Sequence, residues 1–360
     1  MSIHFHSLAV KEVKKETADC VSILFRIPEA LQETFQFTQG QSLTMRTIIN
    51  GEEVRRTYSI CSSPLEQQLR VAVKKVAGGA FSIFANEHLK VGDVLDVMPP
   101  IGRFNTNLDA ANKKHYVAFA AGSGVTPLLS IIKTTLAVEL QSSFTLVYGN
   151  RNRSSIIFFE ELEAMKNKYI DRFNLIHILS REKTDADLNF GRITTEKCEA
   201  LFNKLLDLKA TDEFFICGPE DMIFTVRDFL ESNAVSEKKI HFELFTTPGQ
   251  KKAVSHKPQA VSEEAVKSNI SIKLDGRTFE LSIPLNSDTT ILDAAMQQGA
   301  DVPYACKGGV CCTCKAKLLE GEVKMDVHWG LEHEEIEQGY ILTCQSHPVS
   351  EKVVVDFDVK

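Results

Sequence analysis

The first 107 residues alternate apolar and polar positions in short runs, "VSILFRI", "SLTMRTII", "VRRTYSI", "LRVAVKKV" and "DVLDVMPP". A period of two turns one face of a strand toward a core and the other toward water. Helical spacing competes only briefly, at "FSIFANEHL". An antiparallel β-barrel over residues 1–107 is therefore expected. Between residues 112 and 245 the pattern changes to unbroken apolar runs, "YVAFA", "SFTLVYGN", "FNLIHILS" and "DEFFICGP". Helical patterns such as "FFEELEAMKNKY" and "EDMIFTVRDFLESN" separate them, which predicts an α/β domain on a parallel sheet. Residues 246–266, "TTPGQKKAVSHKPQAVSEEAV", are polar and without apolar periodicity, and read as a tether that would leave the last domain mobile.

Residues 267–360 open with "NISIKLDGRTFELSI", two alternating runs around Asp275-Gly276, the signature of a hairpin. "TTILDAAMQQG" follows as a short amphipathic helix ending at Gly299. A small α+β domain is the expectation. The chain as a whole reads as multidomain.

Composition narrows the function. With 43% hydrophobic residues over 360 positions the chain can bury several cores, and 41 basic against 48 acidic residues leave a formal charge of -7. That balance argues against a nucleic-acid partner. No segment approaches the length of a membrane span, and the N-terminus lacks the apolar run of a signal peptide. A soluble, cytoplasmic protein with no membrane partner is expected. Nine cysteines, unevenly placed, fit thiols kept reduced better than a disulfide scaffold.

Four of those cysteines fall within "PYACKGGVCCTCKAK". Cys306, Cys311 and Cys314 stand as C-x4-C-x2-C, and Cys344 follows further along, the ligand arrangement of a plant-type [2Fe-2S] cluster. A tight loop can aim several soft thiolates inward while its N–H groups bond the cluster sulfides, and Gly308 and Gly309 allow that approach. A structural zinc site is the competing reading, but such sites usually pair two C-x2-C units and this chain has one. Cys312 is expected to be a small buried residue turned away from the iron.

Upstream the signals are phosphate-binding ones. "YVAFAAGSGVTPLL" runs a strand into Gly122-x-Gly124 and then Pro127, a turn that can bring a diphosphate to helix N-terminal N–H groups. A tight strand-to-helix turn without a ligand would look similar. The strand ends "AGSG", "YGNRN", "LSRE" and "CGP" would all line one crevice at the carboxyl edge of a parallel sheet. In the barrel, "RRTYSI" offers Arg56 for a phosphate, Tyr58 for an aromatic ring and Ser59 for a ring edge, though an ordinary edge strand reads the same way. "GGAFS" is a turn opening a helix, or a second phosphate cradle.

R-x-Y-S in a barrel, then G-x-G-x-T-P, then C-G-P, resembles the ferredoxin-NADP reductase superfamily, and the last 94 residues resemble a plant-type ferredoxin of β-grasp fold. The order of the parts resembles the reductase components of bacterial multicomponent oxygenases. The resemblance implies that Arg56, Tyr58 and Ser59 hold FAD, with Gly79, Ala80, Phe81 and Ser82 as a second phosphate contact. It implies that Gly122, Gly124, Val125, Thr126 and Pro127 line the nicotinamide nucleotide, and that Cys217 and Gly218 lie beside the nicotinamide. Glu243 and Phe245 would approach the flavin. Tyr58, Ser59, Cys217, Glu243 and Phe245 are thus the expected residues at the reacting rings.

Ser180 and Arg181 would take the 2′-phosphate of NADPH, assisted by Arg151 or Arg153, which favours NADPH over NADH; Glu182 beside them is the contrary sign. The implied path runs from NAD(P)H to FAD to [2Fe-2S] to an external acceptor, because a nucleotide gives two electrons and a cluster takes one. The partner would be an oxygenase or another redox protein; reductases of Rieske-type, diiron and steroid hydroxylases and of hybrid-cluster proteins share the plan. A non-catalytic carrier or redox sensor is the reading of another class.

Overall fold

A computed structural model describes residues 4–245, 266–285 and 287–359. They form two compact units, one of which is Phe5–Leu244 and the other of which takes in the chain from Phe245 onward.

In the first unit, β1 (His6–Thr17), β2 (Cys20–Arg26), β3 (Ser42–Ile49), β4 (Glu52–Ser59), β5 (Leu69–Lys74) and β6 (Val94–Val97) pair antiparallel in the order β4-β3-β6-β1-β2-β5. The two outer strands meet through a bridge between Ile60 and Val71, reinforced by the Cys61 N–H donating to the Arg70 carbonyl at 2.9 Å. The sheet therefore closes and leaves no long free edge. Helix α1 (Ala80–Glu87) sets Phe81 and Ala85 into the same apolar cluster as Leu8, Ile23, Leu43, Val71 and Val97. The longest strand, β1, is absent from the alternating runs read off the sequence. Two register shifts, between Val10 and Glu12 and between Lys15 and Thr17, break its alternation, and charged residues fill much of its length.

The second half of this unit alternates β7 (His115–Ala121), α2 (Val125–Val138), β8 (Ser143–Asn150), α3 (Phe159–Lys168), β9 (Phe173–Leu179), α4 (Thr195–Lys204), β10 (Glu213–Cys217), α5 (Glu220–Ser232) and β11 (Ile240–Glu243). The five strands run parallel in the order β11-β10-β7-β8-β9. Buried on both faces, they carry unbroken apolar runs, as parallel sheets must. Tyr116, Phe144 and Phe215 stack across three neighbouring strands, with Tyr116 and Phe144 centroids 5.6 Å apart, and the Tyr116 hydroxyl donates to buried Glu139 at 2.9 Å.

Helix α2 is buried nearly all round because the barrel lies on its other side. Ser130 Oγ donates to the Ser62 carbonyl at 2.7 Å, the Ser63 and Thr134 hydroxyls meet at 2.9 Å, and Lys133 pairs with Glu66 at 2.9 Å. The barrel and the parallel sheet are thereby one body.

In the second unit β12 (Lys267–Leu274), β13 (Arg277–Pro284), α6 (Ile291–Gln297), β14 (Lys315–Glu320), β15 (Val323–Met325), α7 (His333–Glu337), β16 (Tyr340–Leu342), β17 (Ser346–Pro348) and β18 (Lys352–Asp356) follow in turn. The main sheet runs β13-β12-β18-β14-β16 with β12 and β18 parallel, and β15 pairs with β17. Ile291, Leu292, Ala294 and Ala295 of α6 join its core. The hairpin falls where the sequence places it, with Asp275 at φ 52° and Gly276 at φ 70°, the left-handed pair of a two-residue turn. Of the stretch read as a tether, 246–265 lies outside the described residues. Among the described residues no helix is long and apolar enough to cross a membrane.

Phe144 is fully buried between two aromatic rings. Phe144→Ala should cost the first unit about 3–5 kcal/mol, measured as a shift in its urea midpoint.

Candidate functional site

The parallel register puts Ala121, Asn150, Leu179 and Cys217 at the same edge of the sheet. The strand ends expected to line one crevice share this edge. Gly124 opens α2 against β10: a Cβ there would lie 2.0 Å from the Cys217 carbonyl oxygen and 2.7 Å from the Gly218 nitrogen. No side chain fits, so main chain packs on main chain and the first turn of α2 faces the crevice. Val125, Thr126 and Pro127 are buried in that turn, and Thr126 Oγ1 donates to the Ser123 carbonyl at 3.0 Å.

Cys217 is paired in register with Glu243 at the end of β11. Ser59, from the far side of the unit at the end of β4, donates its hydroxyl to Glu243 Oε2 at 3.0 Å. Burial raises the Glu243 carboxyl from its ordinary 4.5 to about 7, against the opposing Ser59 hydrogen bond. Burial, and next the Glu243 charge, hold the Cys217 thiol well above its usual range. This cluster therefore presents a neutral thiol and a carboxyl that exchanges its proton near neutrality. Phe245, expected beside it, is 40% exposed just beyond β11.

On the barrel, Arg56 and Tyr58 share one face of β4. Tyr58 packs its ring 5.4 Å from Phe81, and burial raises its phenol. Arg56 is exposed, donates to the Arg55 carbonyl at 2.7 Å, and meets no carboxylate among the described residues. Gly79 caps the N-terminus of α1, where Ala80, Phe81 and Ser82 carry N–H groups without helical partners. The Ser82 hydroxyl is engaged locally, accepting from the Val76 N–H at 3.1 Å and donating to the Gly79 carbonyl at 3.1 Å. A guanidinium without a carboxylate among the described residues, an aromatic ring and helix-start N–H groups are a donor set that fits FAD.

At the ends of β8 and β9, the Ser180 N–H donates to the Asn150 carbonyl at 2.9 Å and the Arg181 N–H to the Arg151 carbonyl at 2.7 Å. This brings Ser180, Arg181 and Arg151 together. Neither arginine pairs with a carboxylate among the described residues. Glu182 turns elsewhere, accepting the Arg153 N–H at 2.8 Å, and Arg153 lies over the Phe159 ring at 4.6 Å. Asn150 Nδ2 is buried without a partner at this edge. Arginines without a carboxylate among the described residues, at a sheet edge with a buried amide, are chemically suited to an anion. Lys74 at the end of β5, which the sequence shows only as a strand residue, has its pKa lowered by burial and next by the charge of Arg151.

In the second unit the thiols fall into two pairs: Cys306 meets Cys311, and Cys314 meets Cys344. The Cys311 hydrogen bond, and the N–H groups of Gly308, Val310 and Cys311, bring Cys306 down to about 6 despite burial. The Gly308 N–H reaches its sulfur at 3.3 Å. Among the described residues no three His, Cys, Asp or Glu side chains converge as a single-ion site. The pairs also feel one another's charge, Cys311 on Cys314 and Cys306 on Cys344, and four thiols gathered this way fit a cluster of two irons, each needing two protein thiolates. Cys312 is half-buried rather than buried, at φ 55°, with its Sγ against the Gly330 carbonyl.

Comparison with known proteins gives the same three parts. A family model described as an oxidoreductase FAD-binding domain matches residues 7–106, an oxidoreductase NAD-binding domain matches 119–228, and a 2Fe-2S iron-sulfur cluster binding domain matches 272–349. One component of the 1,2-phenylacetyl-CoA epoxidase of Escherichia coli (strain K12) is 46% identical over 99% of this chain and 98% of its own. The ferredoxin reductase component of 3-ketosteroid-9-alpha-monooxygenase from Rhodococcus rhodochrous is 34% identical over 97% and 96%. The solved phthalate dioxygenase reductase covers 98% of both chains with a TM-score of 0.59 at 25% identity.

A chain so built is an oxidoreductase that uses FAD, a pyridine nucleotide and a [2Fe-2S] cluster. It belongs to the family of reductase components of multicomponent oxygenases that carry all three domains on one chain.

The raised Glu243 pKa carries a pH signature. The folded state holds this proton more tightly than the unfolded chain, so its stabilisation is complete below about 4.5 and is lost as pH rises through about 7. Glu243→Gln should flatten that interval, seen as a smaller difference between urea midpoints taken at about pH 5 and about pH 8.

Proposed function

We propose that this reductase takes electrons from NADPH and delivers them to the oxygenase of a phenylacetyl-CoA epoxidase, in a cytoplasm that keeps its thiols reduced. The 46% identity to the E. coli epoxidase component, against 34% to the ketosteroid component and 30% to the glycine betaine monooxygenase reductase subunit of Pseudomonas aeruginosa, is the observation behind the acceptor. FAD, when bound, converts the two-electron chemistry of the nucleotide into single electrons, which the cluster accepts one at a time.

The chain's own residues have defined tasks in this reading. Arg56 and the first N–H groups of α1 hold flavin phosphates, and Tyr58 covers the ring. The first turn of α2 seats the nucleotide, with Cys217 and Gly218 beside its nicotinamide. Ser59 and Glu243 hold a proton at the Glu243 carboxyl near the flavin edge, and burial of the cluster around Cys217 keeps water from it. Cys306, Cys311, Cys314 and Cys344 hold the irons. No step requires a nucleophile or a strong base.

Ser180, Arg181 and Arg151 receive the 2′-phosphate of NADPH. A dianion needs charge-assisted partners, and the one carboxylate that would favour a ribose hydroxyl instead, Glu182, is occupied by the Arg153 N–H. Arg181→Ala should lower kcat/KM for NADPH by about tenfold or more and leave NADH within about twofold; equal losses for both would refute the assignment. For the acceptor, the purified reductase should couple NADPH oxidation to epoxide formation with the oxygenase components of phenylacetyl-CoA epoxidase. It should do so at least about tenfold faster than it supports a ketosteroid or glycine betaine oxygenase.

A further inference from the structure

Cys344 is followed by Gln345, which lies between β16 and β17 and is 8% exposed. A buried amide needs partners for its two N–H hydrogens. Gln345 Nε2 is 3.0 Å from the Lys307 carbonyl, 2.8 Å from the Cys344 carbonyl and 3.7 Å from Cys344 Sγ. Two hydrogens thus face three acceptors, and one of those is a sulfur read above as holding iron.

The amide is held there from several sides. The Gln345 main-chain N–H donates to the Leu342 carbonyl at 2.9 Å, and its carbonyl accepts the Asp326 N–H at 2.9 Å. Asp326 is fixed in turn by His347, whose Nε2 lies 3.0 Å from its carboxylate. Gly309, at φ +73°, presses on the side-chain stem: a Cβ there would be 3.0 Å from Gln345 Cγ. Gln345 is therefore a fixed dipole. It spans the two parts of the thiol site, since Lys307 belongs to the loop of Cys306 and Cys311 while Cys344 follows β16.

We propose that Gln345 sets the reduction potential of the [2Fe-2S] cluster, its side-chain amide acting as a positioned donor to the Cys344 sulfur. This rests on the reading that Cys344 is one of the four ligands. An N–H dipole beside a ligand sulfur favours the state with more negative charge on that sulfur, which is the one-electron-reduced one. Removing the donor lowers the potential. A merely structural role, through the Lys307 carbonyl, would change how much cluster is retained and leave the potential of the retained cluster where it is.

The test uses the full chain loaded with FAD and cluster, and reads the cluster midpoint by EPR-monitored reductive titration at fixed pH. Gln345→Met, similar in length and without the donor, should keep the iron content and the FAD midpoint. It should shift the oxidised-to-reduced ratio of the cluster at a fixed potential about fivefold toward oxidised, on a scale where tenfold is about 59 mV for one electron. An unchanged cluster midpoint at full iron content would overturn the proposal. If Gln345→Met fails to hold the cluster, the wild-type chain decides. Pulsed EPR of the reduced protein carrying glutamine labelled with nitrogen-15 in its side-chain amide should show that nitrogen coupled to the cluster, and its absence would equally overturn the proposal. Cys344→Ser tests the underlying reading separately: it should alter the EPR g-values, and unaltered g-values would remove Cys344 from the ligand set and the proposal with it.

Discussion

Everything in the first unit depends on how closely the first turn of α2 lies on the end of β10. With no side chain possible at Gly124, the helix start and the Cys217 carbonyl are in direct main-chain contact. That contact fixes the start of α2 at the carboxyl edge of the sheet. The same helix, further along, is bolted to the barrel by Ser130, Lys133 and Thr134. One helix thus packs against both the end of β10 and the barrel. Ser59 and Glu243, 184 positions apart in the chain, meet because of it.

The electrostatics of the site divide along this helix. On the β10–β11 side a buried thiol stands beside a half-buried carboxyl, and desolvation raises the pKa of both. On the β8–β9 side Arg151 and Arg181 have no carboxylate partner among the described residues.

Legibility in the sequence followed the chemistry. The cysteine cluster was readable because iron demands cysteine at set spacings, and the glycine-bearing turn because close main-chain approach excludes other residues. The hairpin at Asp275-Gly276 was readable because left-handed turns accept few residue types. Strand β1 was not, since its bulges shift the alternation twice and its lysines and glutamates hide the apolar face. The surroundings of Lys74 and Glu182 were also hidden. Whether a lysine is paired, or a glutamate is taken up by the N–H of a residue 29 positions away, is decided by tertiary contacts. The half-burial of Cys312 against Gly330 was equally out of reach, because that contact joins the cysteine loop to a segment 18 positions further on.

The two thiol pairs differ in what folding must accomplish before they exist. Cys306 and Cys311 belong to one loop, held by its own N–H groups, and need no distant partner. Cys314 and Cys344 meet only when β14 pairs with β16, where the Thr343 N–H and hydroxyl both reach the Cys314 carbonyl. Half of the iron site is therefore a local structure of low contact order and half is a product of the finished sheet, so four-thiol geometry itself reports that the domain has folded.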